Sequence, residues 1–497
     1  MASQLLSIND FPPDLLSEIF LWMAEATSDR KYMKSVRIAR SLITSVCSHW
    51  RSVGLELAPF WAVIQATMLN ADDDIQNAIE MTEILLERSK GCLLMIILES
   101  SINCTPLLDI LLAHVERWRL IRLNLPSTLH RYLLCAQGKL HRLQKIRLQG
   151  NEHIITSDPE NGEQVEGLPS PYGLYENVPN LHTVDVSTFP FSIESIPLPW
   201  AQLKAFSASV TTEEVQRISE LAPALEDWRI AEKGAFVPAT VIRRSLPPLL
   251  RLTNLFIRSN SFLGFDLSYL PPLPALESLS LENRSNSSTL HWLENETFHE
   301  LIRKISPHAR AFTYHGVENC LVLPSALGTV QNLTKLSVRS SYRYPAGGVA
   351  RFFHTLTFSD PASSGGCLLP KLEDILFQFK GGLPEKEVMT MIISRCFTDA
   401  EGKRIPSVLG VSCLRSVDLI FAARQKNHAA YIYSSLVSTH CAARMAVLRS
   451  QGLRIAIQNG PQKISEEFLS LPDTLEGVDG VFLEDSFFSS PYLSPSH

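Results

Sequence analysis

The stretch "VCSHWRSV", residues 46–53, sets a thiol, an imidazole, an indole and a guanidinium between Cys47 and Arg51. Cys47 beside His49 suggests a thiolate with its base. On a helix, however, residues two apart diverge, so the spacing opposes that pair and favours a structural cysteine. "HELIR", 299–303, begins like a helical zinc site but lacks the second histidine. No Gly-x-Gly-x-x-Gly, P-loop or Gly-x-Ser-x-Gly occurs, and Asp72–Asp74 reads as a solvated turn. The nine cysteines are scattered, odd in number and without a CxxC pair. They are expected to be reduced, buried thiols. The chemistry-bearing residues therefore predict no enzyme, no cofactor and no metal site.

The 497-residue chain carries 45 basic and 51 acidic residues, a net charge of −6. All seven surplus-forming carboxylates after Lys463 stand without a Lys or Arg, and the remainder is close to neutral. With no basic run, nucleic acid is not an expected partner. The longest apolar run, "CLLMIIL" at 92–98, is too short for a bilayer and reads as a buried strand. The N-terminus lacks the basic and apolar regions of a signal peptide. No membrane partner is expected, and the localisation implied is cytoplasmic and/or nuclear.

Residues 8–60 read as two or three helices. Leu15, Leu16, Ile19, Phe20 and Met23 form one broad apolar stripe, and Ile38, Leu42, Val46 and Trp50 form another. A core of about fifty residues is small, so such a unit leaves apolar surface over unless it binds something.

From residue 78 helices and strands alternate. Helices are expected at 78–90, 106–118, 212–221, 297–305 and 386–396. Apolar residues at positions 1, 4 and 6 of a unit recur from starts at Leu93, Trp118, Leu143, Leu181, Leu203 and Leu225, then at Leu252, Leu276, Ala309, Leu333, Leu372 and Leu414. A further strand is expected at 453–457. Most of these spacings fall within the 20–29 residues typical of leucine-rich repeats. Pro179, Pro223, Pro274, Pro307 and Pro370 each stand two residues before a start, as suits a strand entry. The expected fold class is α/β: a small N-terminal helical module over 5–64, an irregular solenoid with a curved parallel sheet over 75–460, and an acidic, partly disordered tail over 461–497.

"INDFPPDLLSEIF" followed by "VCSHWRSV" resembles the F-box, a short helical module running loosely Leu-Pro-x-Glu-Ile-Leu-x-x-Ile-Phe and then Val-Cys-x-x-Trp. "APFWAVI" (58–64) and "LLERSKGC" (85–92) resemble segments that follow the box in a large fungal F-box group. Phe11 replaces the family's leucine before the first proline, and 24–40 is longer and more charged than a compact F-box linker. The later units resemble leucine-rich repeats, although only Asn151 and Asn260 supply the consensus asparagine at position 9. The resemblance implies a substrate receptor of an SCF-type cullin–RING ubiquitin ligase. Pro12, Leu15, Leu16, Ile19, Phe20, Val46, Cys47 and Trp50 would form or support the face that binds the ligase's small adaptor subunit. The repeats would hold a target protein whose identity the sequence does not give. The alternative is a protein-interaction scaffold outside the ligase.

Overall fold

The computed structural model describes residues 11–26, 33–68, 75–150, 174–188, 197–232, 246–259, 270–283, 296–305, 307–316, 323–343, 346–358, 368–380, 384–397, 405, 407–408, 410–422 and 439–459. Asn151, Asn260, Asp72–Asp74 and the tail lie outside them. Among the described residues the chain divides into two compact units between Phe60 and Trp61.

The first unit is helical. Helices α1 (Pro13–Ala26), α2 (Met33–Val46) and α3 (Ser48–Glu56) pack together. Pro13 occupies the first turn of α1, where its missing N–H costs nothing, and Asp14 complements the helix dipole there. Leu16 and Phe20 point into the small core with Ala39, Ile43 and Phe60. Gly54 lets the helices close on one another: a Cβ there would lie 3.3 Å from Ile43 Cγ2 and 3.8 Å from Phe20 Cε2.

The second unit is a mixed α/β structure built on one open, 14-stranded parallel sheet. The strands are β1 (Val63–Met68), β2 (Leu94–Ser100), β3 (Trp118–Leu125), β4 (Lys145–Gly150), β5 (Thr183–Thr188), β6 (Ala205–Val210) and β7 (Asp227–Glu232). They continue as β8 (Asn254–Ser259), β9 (Ser278–Asn283), β10 (Ala311–Gly316), β11 (Lys335–Arg343), β12 (Asp374–Lys380), β13 (Ser416–Ala422) and β14 (Arg454–Asn459). Each strand pairs with its predecessor and successor, so the sheet grows in chain order. That is the arrangement of an α/β solenoid, in which each unit buries its apolar face against its neighbours.

The 1–4–6 residues form the core. In all twelve units they are buried except Leu93. Amphipathic helices cover that side. Phe352 and Phe353 of helix Ala346–Leu356 meet Phe377 of β12 edge-on, with ring centroids 4.9 Å and 5.2 Å apart. Helix Thr212–Leu221 begins with a capping box between Thr211 and Glu214.

The prolines have a sharper role than ending a helix. The position-1 N–H of Leu181, Leu225, Leu276 and Leu372 donates to the carbonyl three residues earlier. Pro179, Pro223, Pro274 and Pro370 thus occupy the second position of a β-turn, where a fixed φ is preorganised. The next two N–H groups share one carbonyl of the preceding unit, as Lys204 and Ala205 do with His182, and Glu226 and Asp227 with Lys204. This repeated fork fixes the register.

Three expectations need correction. Strand β1 begins at Val63, inside the segment assigned to the helical module, and continues the sheet that was expected to start after residue 75. Register with β2 puts Trp61, Ile64 and Ala66 at positions 1, 4 and 6, so this strand is one more unit of the same pattern, ahead of the first start at Leu93. The helix expected over 106–118 ends at Leu112, because Trp118 is needed as the first residue of β3. Cys135 is exposed, whereas Cys104 and Cys413 are buried, and Cys47, Cys92 and Cys396 are partly buried.

Candidate protein-docking surfaces

Among the described residues no three His, Cys, Asp or Glu side chains gather to hold a metal, and no helix is long and apolar enough to cross a membrane. Two surfaces stand out instead.

The first lies on the helical unit. The broad stripe of α1 splits into two faces. Leu16 and Phe20 are sealed, while Leu15, Ile19 and Trp22, at i, i+4 and i+7, are 49%, 41% and 71% exposed. On α2 the residues Ile38, Leu42 and Val46, at i, i+4 and i+8, are all more than half exposed, and Ala39 and Ile43 supply the buried face. Each helix therefore presents a continuous apolar ridge to solvent. Pro12 is exposed at the start of α1.

The "VCSHW" stretch turns α2 into α3. Val46 ends α2 on its exposed ridge. Cys47 is extended (φ −158°, ψ 172°) and caps α3, its Sγ accepting from the Trp50 N–H at 3.4 Å. Trp50 packs its ring 5.2 Å from that of Phe20, and its Nε1 is buried with no acceptor among the described residues. His49 Nε2 lies 3.4 Å from the carbonyl of Phe11. Cysteine and histidine thus face different partners and form no dyad. Of the eight residues singled out by sequence, Pro12, Leu15, Ile19 and Val46 are surface, and Leu16 and Phe20 are core. Cys47 and Trp50, partly buried, hold the turn between α2 and α3.

Two arginines that the sequence pattern did not flag stiffen this platform. Arg51 Nε donates to Thr44 O at 2.7 Å and satisfies a carbonyl in the last turn of α2. Arg40 donates to Phe60 O from Nε at 3.1 Å and from Nη2 at 2.8 Å, with its guanidinium 5.8 Å from the Phe60 ring. Burial pulls its pKa down to about 10. A basic residue on the inner side of an otherwise apolar stripe is the only sequence signal for it.

The second surface is the sheet face opposite the core. Positions 3, 5 and 7 point there. Position 5 runs in register as Gln65, Ile97, Arg122, Arg147, Asp185, Ser207, Arg229 and Phe256, then Ser280, Thr313, Ser337, Leu376, Asp418 and Ala456. The row is mostly polar, and several charges on this face are locally matched. Arg147 Nε lies 3.0 Å from Asp185 Oδ2, and Arg258 Nε 2.9 Å from Glu282 Oε2. Arg229 Nε lies 3.3 Å from Asp227 Oδ1, and Ser416 Oγ donates to Asp374 Oδ1 at 2.7 Å.

Side-chain amides tie unit to unit just before the strands. Asn180 donates to His141 O, Gln202 to Val178 O and Leu181 O, and Asn332 to Pro307 O. These residues immediately precede position 1, so they bond the turn of the unit before.

No family model matches this sequence, and no curated protein matches it.

Proposed function

We propose that the chain is the substrate-binding subunit of an SCF-type cullin–RING ubiquitin ligase. In this reading the helical unit is an F-box that docks the adaptor subunit, and the sheet unit is a leucine-rich-repeat-like array that holds the target. The protein performs no catalysis itself. It raises the local concentration of a target lysine near the loaded conjugating enzyme.

The observation that carries the reading is the pair of exposed ridges, Leu15–Ile19–Trp22 and Ile38–Leu42–Val46. A three-helix unit with so few buried side chains has kept six large apolar residues outside its core. Such surface is characteristic of helical docking faces.

The test is co-purification of the full chain with the adaptor subunit. Leu15→Asp with Ile19→Asp alters only exposed positions, so the thermal unfolding midpoint should hold while adaptor capture falls by at least thirtyfold, a hot-spot loss of about 2 kcal/mol. Unchanged capture in the double variant, or none by the wild type, ends the proposal. Adaptor capture without recruitment of the cullin would favour the scaffold alternative.

A further inference from the structure

Most charges on the polar sheet face have partners within the chain. Arg339, at position 7 of β11, does not. Its Nε is buried, and no hydrogen bond or ion pair from the described residues reaches it. Its cross-strand neighbours are His315 on β10 and Gln378 on β12, neither of them a carboxylate. The Nε has lost hydration without recovering an acceptor, the terminal nitrogens of the partly exposed side chain remain open to a ligand, and burial lowers the pKa.

A complementary group lies on the same face. Asp418, at position 5 of β13, has Oδ1 buried without a donor among the described residues. Burial raises its pKa; Arg454 on β14 pulls the other way, and Asp374 on β12 adds to the rise. Register places Arg339 level with Gln378 and Ile420, two strands over and two residues beyond Asp418. At ordinary sheet spacing, the two Cα atoms stand about 12 Å apart. That is too far for the side chains to neutralise each other fully; Arg454 supplies Asp418 with a through-space attraction but no hydrogen bond to its buried Oδ1.

We infer that strands β11 to β13 form the recognition segment for an extended stretch of a partner protein, one that presents a carboxylate to Arg339 and a cationic side chain to Asp418. A span of about 12 Å corresponds to three or four residues of extended chain, which fixes the spacing of the two charges in the ligand. A fork-shaped guanidinium with no internal acceptor is suited to a bidentate carboxylate. The inference deepens the proposed function and rests on the sheet unit being the target-holding half.

The experiment uses the full chain and ten-residue synthetic peptides in a Ser/Thr background. Each carries Glu and Lys three or four positions apart, in both orders, with Gln replacing either charge as controls. Fluorescence anisotropy reads binding, and adaptor capture is measured on the same preparations. One charged order should bind at least tenfold more tightly than its neutral counterpart. Arg339→Gln should erase the preference for Glu over Gln in the peptide, and Asp418→Asn the preference for Lys over Gln. Adaptor capture should be unchanged in both variants. If no peptide discriminates charge, or if discrimination survives both substitutions, the site is wrong even where adaptor capture stands. If peptides discriminate as expected but the adaptor is not captured, the recognition segment stands and the ligase reading falls.

Discussion

The helical unit and the sheet unit treat apolar residues in opposite ways. On the sheet, nearly every large apolar side chain at positions 1, 4 and 6 is sealed, and the outward position-5 row is mostly polar. On the helices, α1 and α2 each split their apolar residues between a buried face and an exposed ridge. Size is part of the reason. The sheet unit adds core with every strand, whereas three short helices enclose little volume. Size does not explain why the exposed residues line up at i, i+4 and i+7 rather than scatter. That alignment is the feature on which the proposed reading of the helical unit as a docking module rests.

The comparison would break if the two units were not energetically separable. Phe20→Ala removes a fully buried ring that contacts Trp50 and Phe60. The expected cost is about 3–5 kcal/mol, enough to unfold a unit this small. Hydrogen exchange should show α1 to α3 losing protection while β2 to β13 keep theirs. Loss of protection through the sheet would show that the helices are part of one cooperative core.

Arg395 offers the matching test on the sheet side. It is fully buried, donating to Leu356 O at 2.7 Å and Leu369 O at 3.0 Å, and also to Leu368 O. It clamps the turn at Leu369, whose φ of +54° is costly for a branched side chain. Arg395→Ala should destabilise that region by about 2–4 kcal/mol by stranding carbonyls. In a solenoid the damage should stay local. Exchange should accelerate around β12 and β13 and remain native near β3 to β6. Uniform acceleration would contradict nearest-neighbour stability.

The sheet was far more legible than the helical surface. Positions 1, 4 and 6 marked twelve strands because each buries the same three side chains, and prolines marked the turns. The exceptions have physical causes. Strand β1 has Trp61, Ile64 and Ala66 at the three positions, but its start stands further from Leu93 than the usual repeat length, and Ala66 is only partly buried. The hairpin pairing Ser407–Val408 with Val411–Ser412 is too short to carry a period. The consensus asparagine of a leucine-rich repeat stands at position 9, but among the described residues Asn180, Gln202 and Asn332 bond the preceding unit from one residue before position 1. On the helices, sequence showed apolar periodicity yet could not divide it. Leu15 and Leu16 are adjacent and chemically identical, and only the packing of α2 and α3 decides which is core. Arg339 and Asp418 were illegible for a related reason: a lack of partners is a property of three-dimensional neighbours.

The smallest expected effect tests whether Cys47 is structural. Its Sγ accepts the Trp50 N–H at the N-cap of α3, a position where sulfur is a weak acceptor and a hydroxyl a strong one. Cys47→Ser should therefore hold stability within about 0.5 kcal/mol, while Cys47→Ala, which removes the cap altogether, should cost about 1 kcal/mol. Adaptor capture should follow stability and fall in neither variant at temperatures well below unfolding. If serine is as damaging as alanine, the sulfur contributes by packing against the half-buried turn. If either variant abolishes capture while remaining folded, then Cys47 belongs to the docking face itself, and the division between exposed ridges and supporting residues must be redrawn at the α2–α3 turn.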